Sequence, residues 1–280
     1  MRFLLCLLAL TFTAWADLKT DIEFARPGGV SLTLDAFVPE GEGPFPTCIL
    51  VHGGGFTKGD KTTFIKPLFE PLSKAGFVWF TINYRLAPAN RFPANIEDTE
   101  AAIRWVKAHA KEYKVDAKRI AIIGESAGGH IVSLVGVRAK GETSVAAVVP
   151  FYAPHDLELQ VKSRNALGPS MEALFGLTEL NDAAWKVLRD ASSTSYLRKD
   201  LPSYLLIHGD KDDKVPYEQS VQFQQRMKAI GARCDFITIK EGGHGMGGWD
   251  KLGSDYKDQM IAWLKTTLAA AGATSAAPGE

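Results

Sequence analysis

The 280-residue sequence has little cysteine and no excess charge of either sign. Of its three cysteines, Cys6 lies in the N-terminal apolar run, while Cys48 and Cys234 lie in two separate apolar segments. Cysteines on different buried segments are more often small core residues than disulfide partners, so we expect no bridge. Lys+Arg and Asp+Glu both number 32. This balance does not indicate a basic nucleic-acid surface, and it favours a small neutral or weakly charged ligand.

Long apolar runs are also scarce, because no segment beyond the N-terminus is long and apolar enough to cross a membrane. The N-terminal run at 3–12 is itself short for a bilayer, and Ala-Trp-Ala at 14–16 is typical of a signal-peptide cleavage site. We therefore predict that residues 1–16 form a secretory signal peptide and that the mature chain begins near Asp17. The predicted location is secreted or periplasmic, without membrane association after cleavage.

Metal-ligand spacings of His, Cys and carboxylates are missing as well, so we expect no metal ion. The glycine-rich stretch HGGGF at 52–56 is followed neither by the lysine of a P-loop nor by a G-x-G-x-x-G pattern with a downstream acid. A phosphate-binding loop is therefore not favoured there, and the sequence predicts no cofactor.

Seven short apolar runs are present, and they predict strands. The first, 30–39, alternates with a period of two and predicts an early antiparallel strand. The other six are almost continuously apolar, which is typical of strands buried on both faces of a parallel sheet. They span 46–55, 77–85, 119–126, 145–153, 203–210 and 234–245.

Helix-like segments separate these runs, with helices predicted at 95–113, 218–231 and 256–271. Alternation of strands and helices predicts one doubly wound α/β domain over residues 17–270. Residues 155–200 interrupt the alternation, and we expect this insertion to form part of a substrate pocket. The remaining residues, 271–280, are predicted to be a disordered tail.

A serine stands where one strand is predicted to turn into a helix, in the stretch RIAIIGESAGGH. Gly124 to Gly128 fit the pattern G-x-S-x-G at this junction. Such a turn lifts the serine hydroxyl above the sheet edge, and only small neighbours allow it. The following helix N-terminus favours developing negative charge. We therefore predict that Ser126 is a nucleophile.

A serine nucleophile needs a histidine base, and in this strand-turn-helix context the chain order is serine, acid, histidine. Of the histidines that could follow an acid, His244 lies in a glycine-rich loop after the last predicted strand and is our candidate base. We interpret His208 as structural, and His155 has no obvious partner. His130, just after the nucleophile, is expected to be buried and hydrogen-bonded.

Three aspartates crowd the turn after the strand at 203–210, where the orienting acid is expected. A surface turn alone would also explain them. The pattern H-G-x-x-D-x-x-V-P places Asp212 at the acid position and leaves Asp210 and Asp213 to the turn or its support. Glu125, directly before the nucleophile, is expected to be a buried carboxylate of unassigned role.

The tetrahedral intermediate of such chemistry carries an oxyanion, which needs hydrogen-bond donors. The HGGGF loop follows a predicted strand, where backbone N–H groups of glycines can approach a substrate. The N–H of Ala127, directly after the nucleophile, is the expected second donor. Phe56 at the end of the loop is placed to wall an acyl pocket.

Together these motifs resemble the α/β-hydrolase esterases related to hormone-sensitive lipase, especially the secreted bacterial subgroup with feruloyl and acetylxylan esterases. The resemblance covers roughly residues 28–265 and is carried, in order, by HGGGF (52–56), YRLAP (84–88), FPA (92–94), GESAGG (124–129), HGDKDDKVP (208–216) and GGHG (242–245). It implies a mostly parallel eight-stranded sheet with helices on both faces.

The resemblance also implies roles for particular residues. Ser126, Asp212 and His244 would form the catalytic triad. Gly54, Gly55 and Ala127 would supply the oxyanion hole, with Gly53 the less favoured donor. Many members of the larger group carry an N-terminal cap, for which too few residues precede the first predicted strand here, so a more open pocket is expected.

The leading hypothesis is a secreted, cofactor-free serine carboxylesterase acting on short acyl or feruloyl esters, including those on plant polysaccharide. An amidase or peptidase of the same fold would use the same triad. A non-catalytic binding protein on this fold is the alternative from another class, although such proteins commonly lose triad members. The oligomeric state is left open.

Overall fold

The computed structural model describes residues 17–273, so the predicted signal peptide and residues 274–280 of the predicted tail lie outside the described residues. Within that range the strands form one eight-stranded sheet in the order β1-β2-β4-β3-β5-β6-β7-β8. The strands are β1 (Asp17–Ala25), β2 (Leu32–Val38), β3 (Phe45–Val51), β4 (Val78–Ile82), β5 (Val115–Glu125), β6 (Ala147–Phe151), β7 (Ser203–Gly209) and β8 (Cys234–Ile239).

The sheet is mostly parallel, as predicted. Strand β2 pairs antiparallel with both β1 and β4, whereas β4, β3, β5, β6, β7 and β8 are all parallel to one another. The expected antiparallel strand at 30–39 is therefore confirmed. Strand β1 was not predicted, because it is an edge strand with mostly exposed side chains and lacks the apolar run that identified the others.

Helices cover both faces of the sheet, which explains why its central strands are continuously apolar. In β3, Ile49 and Val51 pack into one core layer, while Cys48 and Leu50 pack into the other. The helices are α1 (Phe69–Lys74), α2 (Ala94–Ala108), α3 (Ala127–Arg138), α4 (Leu157–Arg164), α5 (Pro169–Phe175), α6 (Asp182–Asp190), α7 (Glu218–Ala229) and α8 (Tyr256–Ala273).

The C-terminal ends of three helices differ from the sequence predictions, and the smallest difference is in α7, which ends at Ala229 instead of 231. Helix α2 ends at Ala108 instead of 113, and Tyr113 beyond it is buried against Phe80. Helix α8 extends to Ala273, so residues 271–273 are helical and not part of a disordered tail. The alanine-rich end of α8 has high helix propensity, which favours the extension.

The insertion at 155–200 folds into helices α4, α5 and α6, which share a small core of their own. The buried members of that core are Leu157, Val161, Leu167, Met171, Leu188 and Ala191. This cluster fixes α4 and α5 above the sheet, beside the carboxyl ends of the parallel strands.

Cys48 and Cys234 are free and buried. They lie on β3 and β8, which are separated by three strands. Neighbouring strands are about 4.8 Å apart, so the two thiols are too far from each other for a disulfide. Among residues 17–273, no helix has the length and apolar character needed to cross a bilayer.

Candidate active site

Ser126 occupies the sharp turn between β5 and α3. Its backbone has φ 53° and ψ −114°, a conformation that residues other than glycine rarely adopt. The turn is closed by hydrogen bonds from the Ser126 N–H to the Phe151 carbonyl and from the His130 N–H to the Ser126 carbonyl. The serine is thus held at the N-terminus of α3 with its side chain directed into the cleft described below.

Gly128, two residues after the serine, is required because the turn packs closely on the end of β3. A Cβ atom on Gly128 would overlap the carbonyl oxygens of Val51 and His52. These are backbone atoms, so relieving the overlap would require a shift of the main chain. The small residues of the motif therefore allow α3 to start directly against the end of the neighbouring strand.

His244 lies within hydrogen-bond distance of Ser126, although the two are 118 positions apart in the sequence. The Ser126 Oγ is 2.9 Å from the His244 Nε2. The imidazole packs edge-on against the ring of Tyr152, with 4.8 Å between centroids, and 21% of its side chain is exposed. Its loop follows β8 and contains Gly245 at φ 100°.

Asp212 holds the other nitrogen of the same imidazole. Its Oδ2 accepts a hydrogen bond from the His244 Nδ1 at 2.7 Å, and its Oδ1 accepts from the N–H groups of Lys214 and Val215. Burial raises the pKa of Asp212, but hydrogen bonds from His208 and His244 outweigh it and keep the pKa well below the usual range. The carboxylate is therefore ionised and fixes the tautomer with an acceptor Nε2 facing Ser126.

The other two aspartates of the turn lie elsewhere. Asp213 is exposed and pairs with Lys214 at 3.0 Å. Asp210 accepts a hydrogen bond from the Glu241 N–H and so links the turn after β7 to the turn after β8.

The three remaining candidate histidines are fully buried, and none faces Ser126. His208 lies 2.8 Å from the Ser220 hydroxyl and 3.3 Å from Asp212, where it supports the acid. His155 bonds the Ser133 hydroxyl at 2.8 Å and stacks on Phe223. His130 donates to the Ala191 carbonyl, and its burial lowers its pKa to about 4.

The candidate oxyanion donors, which are the N–H groups of Gly54, Gly55 and Ala127, border the cleft next to Ser126. Within residues 17–273, none of the three N–H groups makes a hydrogen bond to protein. Gly54 has φ 101°, and a Cβ there would overlap the Lys58 carbonyl oxygen. These donors are therefore free for a ligand oxygen, and the loop needs glycine to present them.

The N–H of Gly53 is used differently, because it donates to the Glu125 Oε1. Burial raises the pKa of Glu125 to about 6, against opposing hydrogen bonds from the Tyr152 hydroxyl and the Gly53 N–H. The Tyr152 ring also packs edge-on against the imidazole of His244. Glu125 and Tyr152 thus connect the glycine loop to the loop that carries His244.

The glycine loop at 52–56 and the segment that follows it are held by further contacts. His52 bonds the Gly53 carbonyl through Nδ1 at 2.8 Å, and burial lowers the pKa of His52 to about 4, so the ring is neutral. In the segment after the loop, the Lys61 ammonium lies 2.8 Å from Asp21 on β1 and 3.0 Å from Asp35 on β2. The edge strand missed from the sequence therefore anchors one wall of the site.

A cleft of about 910 Å³ opens above these groups at the carboxyl ends of the parallel strands. Its buried or half-buried base, here called the cleft floor, consists of Glu125, Ser126, Ala127, Tyr152 and His244. Its exposed mouth, here called the cleft rim, carries Lys58, Phe64, Lys66, Arg164 and Lys214. Phe56 and the insertion residues Leu167 and Met171 line the apolar wall between floor and rim.

Sequence reasoning did not single out Tyr152 or the rim residues. Tyr152 directly follows β6, and a polar aromatic residue at the carboxyl end of a parallel strand is the signal that could have identified it. Among residues 17–273, no group of three or more His, Cys, Asp or Glu side chains is arranged to hold a metal ion.

Comparison with protein families agrees with this geometry. The model of the BD-FAE family matches residues 34–227, well over half of the sequence. The chain belongs to the BD-FAE family. This membership confirms the predicted resemblance to α/β-hydrolase esterases related to hormone-sensitive lipase.

Individual relatives are esterases by name. Esterase LipC of Mycobacterium tuberculosis is 31% identical over 214 residues, covering 72% of this chain and 53% of that protein. The acetylxylan esterase of Xylanibacter ruminicola is 27% identical over 271 residues, covering 94% of this chain and 53% of that protein. This member of the BD-FAE family thus spans about half the length of the curated relatives it matches.

A solved structure, the truncated form of a carbohydrate esterase from gut microbiota, has a similar fold. It superposes with a TM-score of 0.79 at 26% identity, covering 91% of this chain and 97% of that one. The α/β-hydrolase fold of this BD-FAE family member is thereby confirmed.

Proposed function

We propose that this chain is a secreted serine carboxylesterase that hydrolyses short acyl or feruloyl esters, including acetyl esters on plant polysaccharide. The observation that supports this proposal most is the hydrogen-bonded series Ser126, His244 and Asp212 at the floor of an open cleft. The names of the acetylxylan esterase and carbohydrate esterase relatives support the substrate class.

In the proposed reaction, the Ser126 oxygen attacks the ester carbonyl carbon while its proton moves to the His244 Nε2. The N–H groups of Gly54, Gly55 and Ala127 stabilise the resulting oxyanion. His244 then passes the proton to the leaving alkoxide, which departs as an alcohol and leaves an acyl-serine. Water, deprotonated by His244, attacks the acyl-serine and releases the acid. Asp212 stays ionised throughout and stabilises the imidazolium.

An amidase or peptidase would use the same groups, and the openness of the cleft does not distinguish the two bond types. The relatives named above favour the ester. A non-catalytic binding protein is disfavoured by the free N–H groups beside a serine already bonded to a histidine.

The experiment measures 4-nitrophenol release from 4-nitrophenyl acetate, nitroaniline release from 4-nitroacetanilide, and labelling by a fluorophosphonate. We expect hydrolysis of the ester but not the anilide, with the label attached to Ser126. The Ser126→Ala change should lower kcat by about 10⁴-fold or more.

Ser133→Ala is the matched control, because Ser133 belongs to a second Ser–His pair that is fully buried and cannot receive substrate. We expect this variant to keep esterase activity and phosphonate labelling. Loss of labelling in the Ser133 variant only, or full activity without the Ser126 hydroxyl, would contradict the proposed nucleophile.

A further inference from the structure

The cleft has an uneven distribution of charge at its mouth. Four basic side chains contribute to its lining, namely Lys58, Lys66, Arg164 and Lys214. Glu125 is the only acidic residue that lines the cleft within the described range 17–273, and it lies buried at the floor with only 4% exposure. The formal charge of the whole chain is zero, so this local excess is a feature of the cleft rim.

Most of these basic groups have no acidic partner. Lys214 pairs with Asp213 at 3.0 Å, which neutralises it in part. Between residues 17 and 273, Lys58, Lys66 and Arg164 form no ion pair, although the Arg164 guanidinium donates to the Lys214 carbonyl. Three cations from two separate segments are therefore available to an anion entering the cleft.

The rim also carries an aromatic ring, that of Phe64, which lies between Lys58 and Lys66 in the sequence. Phe64 is 49% exposed, which is unusual for a phenylalanine, and it lines the same cleft. Its backbone has φ 64°, a left-handed conformation that residues other than glycine and asparagine rarely adopt. An exposed apolar ring face beside charged groups suits the alternating polar and apolar faces of a sugar ring.

The cations lie on the exposed rim, whereas the candidate oxyanion donors and Ser126 lie at the floor. An acetyl group is small, so when its carbonyl carbon lies against Ser126 the alcohol part of the ester occupies the rest of the cleft. The part of an ester that reaches the rim is the larger alcohol part. A negative charge attracted by the rim therefore belongs to the alcohol part of the substrate.

On the basis of the proposed esterase function, we propose that the cleft selects esters of acidic carbohydrates, whose carboxylate is bound by Lys58, Lys66 and Arg164. A uronic acid residue on an acetylated oligosaccharide has this chemistry. This refines the neutral or weakly charged ligand that net charge alone favoured, since net charge does not report where the charges lie.

The test compares kcat/KM for acetylated xylo-oligosaccharides with and without a glucuronic acid branch. We expect the acidic substrate to be preferred about tenfold at an ionic strength of about 20 mM, and the preference to fall below about twofold in about 0.5 M salt. Equal values for the two substrates, or a preference insensitive to salt, would overturn the inference.

The double variant Lys58→Gln/Lys66→Gln should bring the acidic-to-neutral ratio close to one. Its matched control is Lys111→Gln/Lys118→Gln, which removes two exposed lysines that do not line the cleft and should leave the ratio unchanged. A ratio that survives the rim substitutions, with folding verified by circular dichroism, would contradict the assignment.

Two further measurements separate this inference from the proposed function. Hydrolysis of 4-nitrophenyl acetate by the wild type tests the esterase alone, and calorimetry with Ser126→Ala protein and deacetylated oligosaccharides tests the rim without catalysis. We expect the acidic oligosaccharide to bind more tightly than the neutral one. A strong preference for a 4-nitrophenyl hemisuccinate over the acetate would place the charge in the acyl part and overturn the proposal.

Discussion

The cleft floor and the cleft rim are built by different means. At the floor, positions are set by backbone packing, since the strained Ser126 turn closes against β3 and the N–H of Gly53 is bonded to Glu125. At the rim, charged side chains project from loops and from the end of α4 into solvent, and most lack ion-pair partners within residues 17–273.

This difference corresponds to two separate properties of an enzyme, its reaction chemistry and its substrate preference. Reaction chemistry requires atoms placed within a fraction of an ångström, which a buried and tightly packed backbone provides. Substrate preference at the mouth of a cleft needs only a field of suitable sign, which exposed side chains provide at little structural cost. Substitutions at the floor should therefore change the rate by orders of magnitude, and substitutions at the rim should change selectivity or stability modestly.

Among substitutions that leave the floor residues unchanged, the largest effect is expected from Asp212→Asn, directly behind the floor residue His244. The asparagine oxygen can still accept from the N–H groups of Lys214 and Val215, which directs the amide NH₂ at the His244 Nδ1. Nδ1 must then accept, so Nε2 carries the proton and cannot take one from Ser126. We expect kcat for 4-nitrophenyl acetate to fall by about 10³–10⁴-fold.

The control is Asp213→Asn, which changes an exposed acid in the same turn. Activity on the neutral ester should stay within about twofold of wild type, as for most exposed positions away from a site. If Asp213→Asn lost more activity than Asp212→Asn, the orienting acid would have been misidentified.

A smaller effect is expected from Glu125→Gln, and it should depend on pH. The pKa of Glu125 is raised to about 6, so the group is ionised above that pH and then attracts the imidazolium of His244. Loss of an interaction of about 1.4 kcal/mol lowers the rate about tenfold. The wild-type to variant ratio of kcat/KM should therefore be about ten near pH 8 and should approach one near pH 5, where the wild-type carboxyl is neutral too.

Glu142→Gln serves as the matched control for this profile, because Glu142 is exposed and lies beyond the opposite end of α3. Its ratio to wild type should be flat with pH. A ratio for Glu125→Gln that did not change between pH 5 and 8 would show that the charge of Glu125 does not act on the reaction.

The smallest effect concerns the rim and is one of stability. Phe64→Gly and Phe64→Ala both remove the ring, but only alanine retains a Cβ at φ 64°. We expect the glycine variant to have a free energy of unfolding about 1 kcal/mol higher than the alanine variant, measured by urea denaturation. Equal stability of the two variants would mean that residue 64 does not keep its left-handed backbone in solution.

Continuous apolar character was sufficient to predict six strands, because strands buried on both faces have no polar side to interrupt the run, and period-two alternation predicted a seventh at 30–39. The same criterion could not identify β1, whose side chains are mostly exposed. Motif spacing named Ser126, Asp212 and His244, and the structure brings them together. Their catalytic roles remain predictions for the experiments above.

The sequence could not identify contacts between distant segments. Glu125 and Gly53 are 72 positions apart, and nothing in their local context indicates that a carboxylate holds the glycine loop. Similarly, Lys61 reads as an ordinary charged residue, yet it is 9% exposed and bonded to Asp21 and Asp35.

The sequence by itself determined seven of the eight strands, the helices that alternate with them at α2, α3, α7 and α8, and the residues that turn sharply at the ends of strands, since hydrophobic periodicity and glycine freedom are local properties. The tertiary structure alone decided which distant groups meet: the carboxylate beneath the glycine loop, the tyrosine beside the imidazole and the cations around the mouth. Their positions depend on how the sheet twists and on how loops from separate strands pack at one edge, and no local pattern encodes those distances.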